Sequence, residues 1–343
     1  MKTMTRAILL LAVLAAPAAT LFAQTTEVTY YQGTANLKDS GGNVTPVDFG
    51  TVVNYGDTII TGRDGTVQLD QNGVNQITIQ PNSVFSLQQR MQDAKPRTVM
   101  TTVLGSVAYK FAQLAGTTEP DLGTMSSVAG IRGTALTVYA GSDGSSLFVV
   151  TQGKVAVQAE GQTVDLAVNE AVQVTPGDPP GKKFMVLAGQ IDFSKWNSQQ
   201  ESAFAKDPVA ALTAVGKRMD SLIGQIKQIE PTFLKWKSEL DANRAELKKL
   251  RDAGKMAEAK TFYEQKVNPL EVDASNLYLN LRYWALSALS LRKYVMGRMD
   301  LSMKIAYLKT PSDSVFTTFE QLFSQIDNAF NSAVVPYLVP TDI

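Results

Sequence analysis

Up to about residue 176 the apolar residues of this chain recur every second position; beyond about 200 they recur every third or fourth. No single element serves both patterns: strand side chains alternate between two faces, while helical ones return after about 3.6 residues. The chain is therefore expected to build a sheet first and helices second.

In the first part, Val67 and Leu69, then Ile77 and Ile79, alternate with Gln68, Thr78 and Gln80. Gly62-Arg63-Asp64-Gly65, Asn72-Gly73, Pro81-Asn82-Ser83 and Gly141-Ser142-Asp143-Gly144 supply turns. Such alternation, punctuated by Gly, Asn and Asp, predicts about ten short strands in a sandwich, a barrel or a short β-solenoid. A likeness between Asn54–Gly62 and Val168–Gly177 is what a coil repeat would leave. Two copies set no period, and unrelated strands of similar make-up account for it.

Thr175-Pro176-Gly177-Asp178-Pro179-Pro180-Gly181 can sustain neither a helix nor a central strand and reads as a turn or linker. Asp207-Pro208 then opens a helix, with an N-cap carboxylate followed by proline in the first turn. Val209, Leu212, Val215, Met219, Leu222, Ile226 and Ile229 form its apolar face, and Pro231 is expected to end it. A second helix carries Trp236, Leu240, Leu247 and Leu250 and stops at Gly254; a third, from about Pro269, carries Leu277, Leu281, Trp284, Ala288 and Leu291. The last opens near Ser312-Asp313 and stacks Phe316, Phe319, Leu322, Phe323, Ile326 and Phe330. With a shorter segment at 255–267 this makes four or five helices, each needing partners in a bundle or in long hairpins.

The N-terminus reads as a signal peptide: Lys2 and Arg6, an apolar core from Ala7 to Ala16, and a cleavage site at Leu21-Phe22-Ala23. The core is shorter than the ~20 residues that span a bilayer, so cleavage near Ala23 is favoured over anchoring. The mature protein is expected to be exported, periplasmic or extracellular, with no transmembrane segment. The expected fold class is α+β in two domains: an N-terminal all-β domain, a sandwich or short β-solenoid, then a C-terminal α-helical bundle. Residues 1–23 are assigned to the signal peptide, 24–176 to the β-domain, 177–198 to a linker and 199–343 to the helical domain.

The chain has no histidine and no cysteine. That excludes Ser-His-Asp triads, imidazole or thiolate metal sites, thiol nucleophiles, disulfides and lipid attachment through cysteine. Carboxylate and Ser-Lys chemistry survive, but no Asp/Glu pair is singled out for glycosidase work. The expectation is a non-enzymatic protein with no catalytic, cofactor-binding or metal residues and no cofactor. Residues 24–190 hold 10 basic against 14 acidic side chains, and residues 191–343 hold 20 against 18. Neither half has the basic excess of a nucleic-acid binder.

One block sets an arginine between glycines in a strand-like run: Val128-Ala129-Gly130-Ile131-Arg132-Gly133-Thr134. Gly56-Asp57-Thr58-Ile59-Ile60-Thr61-Gly62 precedes it and Gln152-Gly153-Lys154-Val155 follows. In this order the blocks resemble the FecR domain, an extracytoplasmic β-domain of bacterial regulators that relay surface signals to sigma factors. The resemblance covers residues 50–176 and implies a fold and a compartment, not a reaction. In those regulators a cytoplasmic sigma-regulating segment and a membrane helix precede the domain. The export signal here leaves no such segment, so the chain looks like a stand-alone exported member in which the β-domain is a scaffold or binding platform.

The motif residues Gly56, Asp57, Gly62, Gly130, Arg132, Gly133, Thr134 and Gly153 are read as structural. Arg132 is expected in a buried or half-buried ion pair with Asp57 or Glu170, ahead of contact with a ligand carboxylate or phosphate. Asp57, Asp64, Asp70 and Asp143 read as turn residues rather than calcium ligands, since no segment has the spacing of a calcium loop. Tyr30, Tyr31, Tyr109 and Phe111 read as core ahead of a glycan platform. The phenylalanine stripe of the last helix reads as bundle core ahead of a partner contact, and the lysines from Lys235 to Lys260 as a solvated face. The expected function is a binding or assembly platform for an envelope protein, in surface signalling; the alternative is a module that binds cell-wall or surface polysaccharide.

Overall fold

The computed structural model describes residues 25–112, 119–187 and 190–339. The expected signal peptide and its cleavage site lie outside the described residues. Strands β1 (Thr26–Gln32), β2 (Ala35–Lys38), β3 (Val44–Pro46), β4 (Thr58–Thr61), β5 (Thr66–Gln71), β6 (Asn75–Ile79) and β7 (Val84–Gln92) come first. They are followed by β8 (Lys95–Phe111), β9 (Asp121–Gly123), β10 (Val128–Ala140), β11 (Ser146–Ala159), β12 (Gln162–Leu166), β13 (Glu170–Val174) and β14 (Phe184–Met185). The described residues thus hold fourteen strands where about ten were expected. The surplus lies in pieces such as β3, β9 and β14, too short to display an alternation.

All fourteen are hydrogen-bonded into one sheet that folds over on itself. Three long strands change neighbours part-way. β8 passes from β7 to β6, β10 from β9 to β8, and β11 from β13 to β12. The enclosed core includes Val28, Leu69, Ile79, Phe85, Tyr109, Leu136, Phe148, Val157 and Val172. Leu147-Phe148-Val149-Val150 is buried on both faces, which is why this stretch is continuously apolar instead of alternating.

Helices α1 (Phe193–Lys206), α2 (Pro208–Asp252), α3 (Met256–Phe262), α4 (Asn268–Ser290), α5 (Gly297–Ala306) and α6 (Ser314–Ala333) follow. Wider π-helical turns at Tyr263–Val267 and Leu291–Met296 join α3, α4 and α5 into one run. This run folds back on α2 as a hairpin around Gly254, whose φ of +74° suits a residue without Cβ. The Asp207-Pro208 opening is as expected, with the Asp207 carboxylate accepting from the Ala210 N–H.

Pro231 does not end the helix. α2 runs through it for 45 residues, although Pro231 leaves the Lys227 carbonyl without its helical donor. Burial on both sides holds the helix together: Met219, Leu222, Ile226 and Phe233 before and around the proline, Leu240 and Leu247 after it. Each such side chain contributes about 1.5–3 kcal/mol on full burial, more than the ~3 kcal/mol a proline costs when several are summed.

The stretch 177–198, expected as linker, contains β14 and the opening of α1. Asp192 caps α1 by accepting from the Lys195 N–H. Trp196 is buried on Leu147, Val149 and Ala171, and its indole N–H donates to Gln173 Oε1 at 3.1 Å. Trp196 is the one buried residue of α1, so no apolar stripe announces this helix. Sheet and helices also share a core, in which Val84, Val103, Leu104 and Met125 pack with Leu212, Val215, Met219, Leu281 and Phe319. The change of periodicity is therefore not a gap in packing.

Candidate functional site

The two most specific motifs meet in the structure. β10 and β11 pair in register from Val128 to Arg132 and again from Leu136, and the register slips between. At the slip, Gly133 and Gly153 take φ of +55° and +79°. A Cβ on Gly153 would lie 2.5 Å from the Gly133 carbonyl oxygen and 2.8 Å from Thr134 Cγ2. Arg132-Gly133-Thr134 and Gln152-Gly153-Lys154 are thus the two sides of one β-bulge. The bulge falls where β10 leaves β9 for β8. Glu119 Oε1 accepts the Gly133 N–H at 2.7 Å.

The earlier motif shapes a turn. Gly56, at φ +98°, donates its N–H to the Leu87 carbonyl at 2.7 Å, and Gly62 donates to Thr34 at the same distance. Asp57 is buried and accepts the Asn54 N–H at 2.8 Å; burial raises its carboxyl above the usual range. Gly130 lies opposite Ala156, and Thr134 is buried with its hydroxyl unpartnered among the described residues.

Arg132 departs from expectation. It is exposed, and neither Asp57 nor Glu170 pairs with it. Alternation decides this: Ala129 and Ile131 point into the core, so the next residue points out. Directly across from Arg132 stands Lys154, a like charge. Both line an open cleft of about 500 Å³ together with Lys183, Asp165 and Glu170. Glu170 pairs with Lys183 at 2.9 Å; the Ala167 N–H first, then Lys183, hold its carboxyl below the usual range.

The other turn aspartates cap backbone. Asp64 accepts from the Thr34 N–H, Asp70 from the Gly73 N–H, and Asp143 from both the N–H and hydroxyl of Ser145. Tyr109 and Phe111 are buried and stacked at 5.9 Å, as core residues, whereas Tyr30 and Tyr31 are exposed. Phe319 and Phe330 are buried, with Phe316 and Phe323 packed beside them, so the stripe of α6 closes the bundle core.

Two features escape the sequence. The first is a network at the junction of sheet and helices. Buried Asp121 accepts from Arg90 at 2.7 Å and from Arg97 at 2.8 Å. The Arg90 guanidinium lies over the Tyr283 ring of α4, and the neighbouring Met91 N–H donates to Asn280 Oδ1 at 2.7 Å. From α2, Arg218 donates to the Met125 carbonyl at 3.0 Å and comes within 3.6 Å of Glu160. These partners lie 24 to 193 residues apart, beyond any local pattern.

The second is a groove of about 850 Å³ between the Gly141–Gly144 turn, the joint of α1 and α2, and α5. Phe204, Met299, Met303 and Tyr307 give it apolar walls, with Asp143, Glu201 and Arg298 among its polar residues. Leu301, which lines it, and Ile305 of α5 are 59% and 68% exposed, and Leu308, in the turn after α5, is 79% exposed. Exposed aliphatics next to an apolar groove are the kind of surface at which protein contacts form. Among the described residues no helix is long and apolar enough to cross a membrane.

No protein-family profile matches the chain, and no curated protein does. Solved structures do. A candidate anti-sigma factor from Parabacteroides distasonis, solved at 1.65 Å, shares 16% identity over 38% of this chain and 60% of its own length, with a TM-score of 0.30. A second structure of the same description, at 2.50 Å, shares 14% over 47% of this chain and 73% of its own, with a TM-score of 0.32. The present chain therefore spans less than two thirds of the first.

Proposed function

We propose that this chain is an exported, non-enzymatic, FecR-like protein that serves as a binding platform for a protein of the cell envelope, in surface signalling. In this reading residues 24–176 form the FecR-like domain, and cleavage near Ala23 releases the chain to the periplasm or beyond. The FecR-like motifs support a scaffold role, since their glycines shape turns and one bulge. The observation that carries the reading is the apolar groove with Leu301, Ile305 and Leu308 beside it. Polysaccharide binding has less support, because two of the four aromatics considered for it belong to the core.

The test uses the whole mature chain, because sheet and helices share a core. A photo-crosslinker is placed at Leu308 and the protein exposed to its native envelope. One specific protein is expected to crosslink to the wild type and to be lost from an L301D/I305D variant whose thermal unfolding is unchanged. A crosslinked protein that persists in the variant, or purified cell wall that binds in its place, overturns the reading.

A further inference from the structure

The junction between sheet and helices holds a cleft of about 350 Å³, distinct from the groove beside α5. Its walls come from both halves of the chain: Arg90 on β7, Ser127 just before β10, Glu160 in the turn after β11, Arg218 and Gln225 on α2, and Trp284 on α4. We propose that this cleft binds a small oxyanion, a carboxylate or phosphate group, through Arg90 and Arg218.

Charge carries the argument. Two guanidinium groups line the cleft, Arg90 and Arg218, and a third, Arg97, shares Asp121 with Arg90. Among the described residues the carboxylates paired with them are Asp121, shared by Arg90 and Arg97, and Glu160. One positive charge is left over among arginine side chains that are a quarter exposed or less, so water screens it only in part. The pairing is also incomplete in geometry. The Nε of Arg90 is buried without a partner. Arg218 reaches Glu160 only at 3.6 Å, beyond hydrogen-bond length, and its Nε donates to a neutral carbonyl, that of Met125. Burial works against the Arg218 charge, and Tyr283 and then Glu160 offset this only in part.

An oxyanion answers each deficit. It supplies the missing negative charge and accepts from guanidinium forks, whose planar donor geometry matches carboxylate and phosphate. Arg218 and Gln225 stand seven residues apart on α2, two turns along one face, so both look into the cleft. The volume is at the low end for ligand sites, which limits the ligand to a small molecule or a single anionic group. Because the walls belong to both halves, the anion would tie the helical hairpin to the sheet.

Thermal unfolding and calorimetric titration of the full mature chain test this with inorganic phosphate and with succinate, against sodium chloride at matched ionic strength. At least one oxyanion is expected to raise the unfolding temperature saturably while chloride does not, and the tighter of the two identifies the group. Gln225 is exposed, so changing it should leave folding intact. Q225E should weaken binding and Q225K strengthen it, each by about tenfold, the worth of one charge a few ångströms away in a partly buried site. R218Q should abolish it. Absence of a saturable response to either oxyanion, or equal affinities in wild type, Q225E and Q225K, overturns the proposal.

Discussion

Gly153 stands so close to Gly133 that a Cβ on it would be 2.5 Å from the Gly133 carbonyl oxygen. Two glycines from distant motifs therefore make one bulge, at φ of +55° and +79°, a backbone region that favours residues without a Cβ. Gly153→Ala is expected to cost about 2–4 kcal/mol, left-handed strain and overpacking together. Gly161 is the control: its φ is +75° but nothing lies within 4 Å of its would-be Cβ. Gly161→Ala should cost only about 1 kcal/mol. Urea unfolding of the two variants separates crowding from backbone strain, and equal losses would dismiss the bulge.

Asp121 is the shared acceptor of Arg90 and Arg97 and is almost fully buried. Asp121→Asn keeps the shape but leaves two arginines without a counter-charge. A loss of about 3–5 kcal/mol is expected in urea unfolding, as for other buried pairs broken on one side. Arg97→Gln should cost much less, because its side chain is a quarter exposed and water can replace the contact.

Pro231 is exposed inside α2, so replacing it removes no packing. Alanine would restore the N–H that the Lys227 carbonyl lacks and remove the ring clash. Pro231→Ala is expected to stabilise the protein, by up to about 3 kcal/mol. A lower unfolding temperature would mean that the helix depends on the bend a proline imposes.

Burial raises the Asp143 carboxyl above its ordinary value of 3.8, against the lowering effect of its bonds to Ser145. A carboxyl raised by folding favours the protonated state, so its contribution to stability is lost as pH climbs from the unfolded value through the folded one. Asp143→Asn has no such titration and can still accept from the Ser145 N–H. The unfolding temperature of the variant should therefore gain on the wild type as pH rises from about 3 to 7. A difference that is flat with pH, or that shrinks, would remove Asp143 as the cause.

Much of the fold was legible because it is written between near neighbours. Val67 and Leu69 announce a strand, and Leu212, Val215 and Met219 a helix, because spacing alone assigns side chains to faces. The outward aim of Arg132 was legible in the same way, from the buried Ala129 and Ile131 before it; treating its charge as buried gave too little weight to alternation. Pro231 misled for the opposite reason. A local rule says that proline ends helices, but Phe233, Leu240 and Leu247 find partners on other helices and carry α2 past it.

The sequence by itself determined the kinds of element, their order and the glycines that the turns and the bulge require, since backbone conformation and facial periodicity are properties of adjacent residues. Only the tertiary structure decided that Gly133 meets Gly153, that Asp121 sits between Arg90 and Arg97, and that Arg218 faces Glu160. These pairings join residues 20 to 58 positions apart, brought together by burial of a common core. Hydrophobic burial has no direction, so the charges it places side by side leave no local pattern to read.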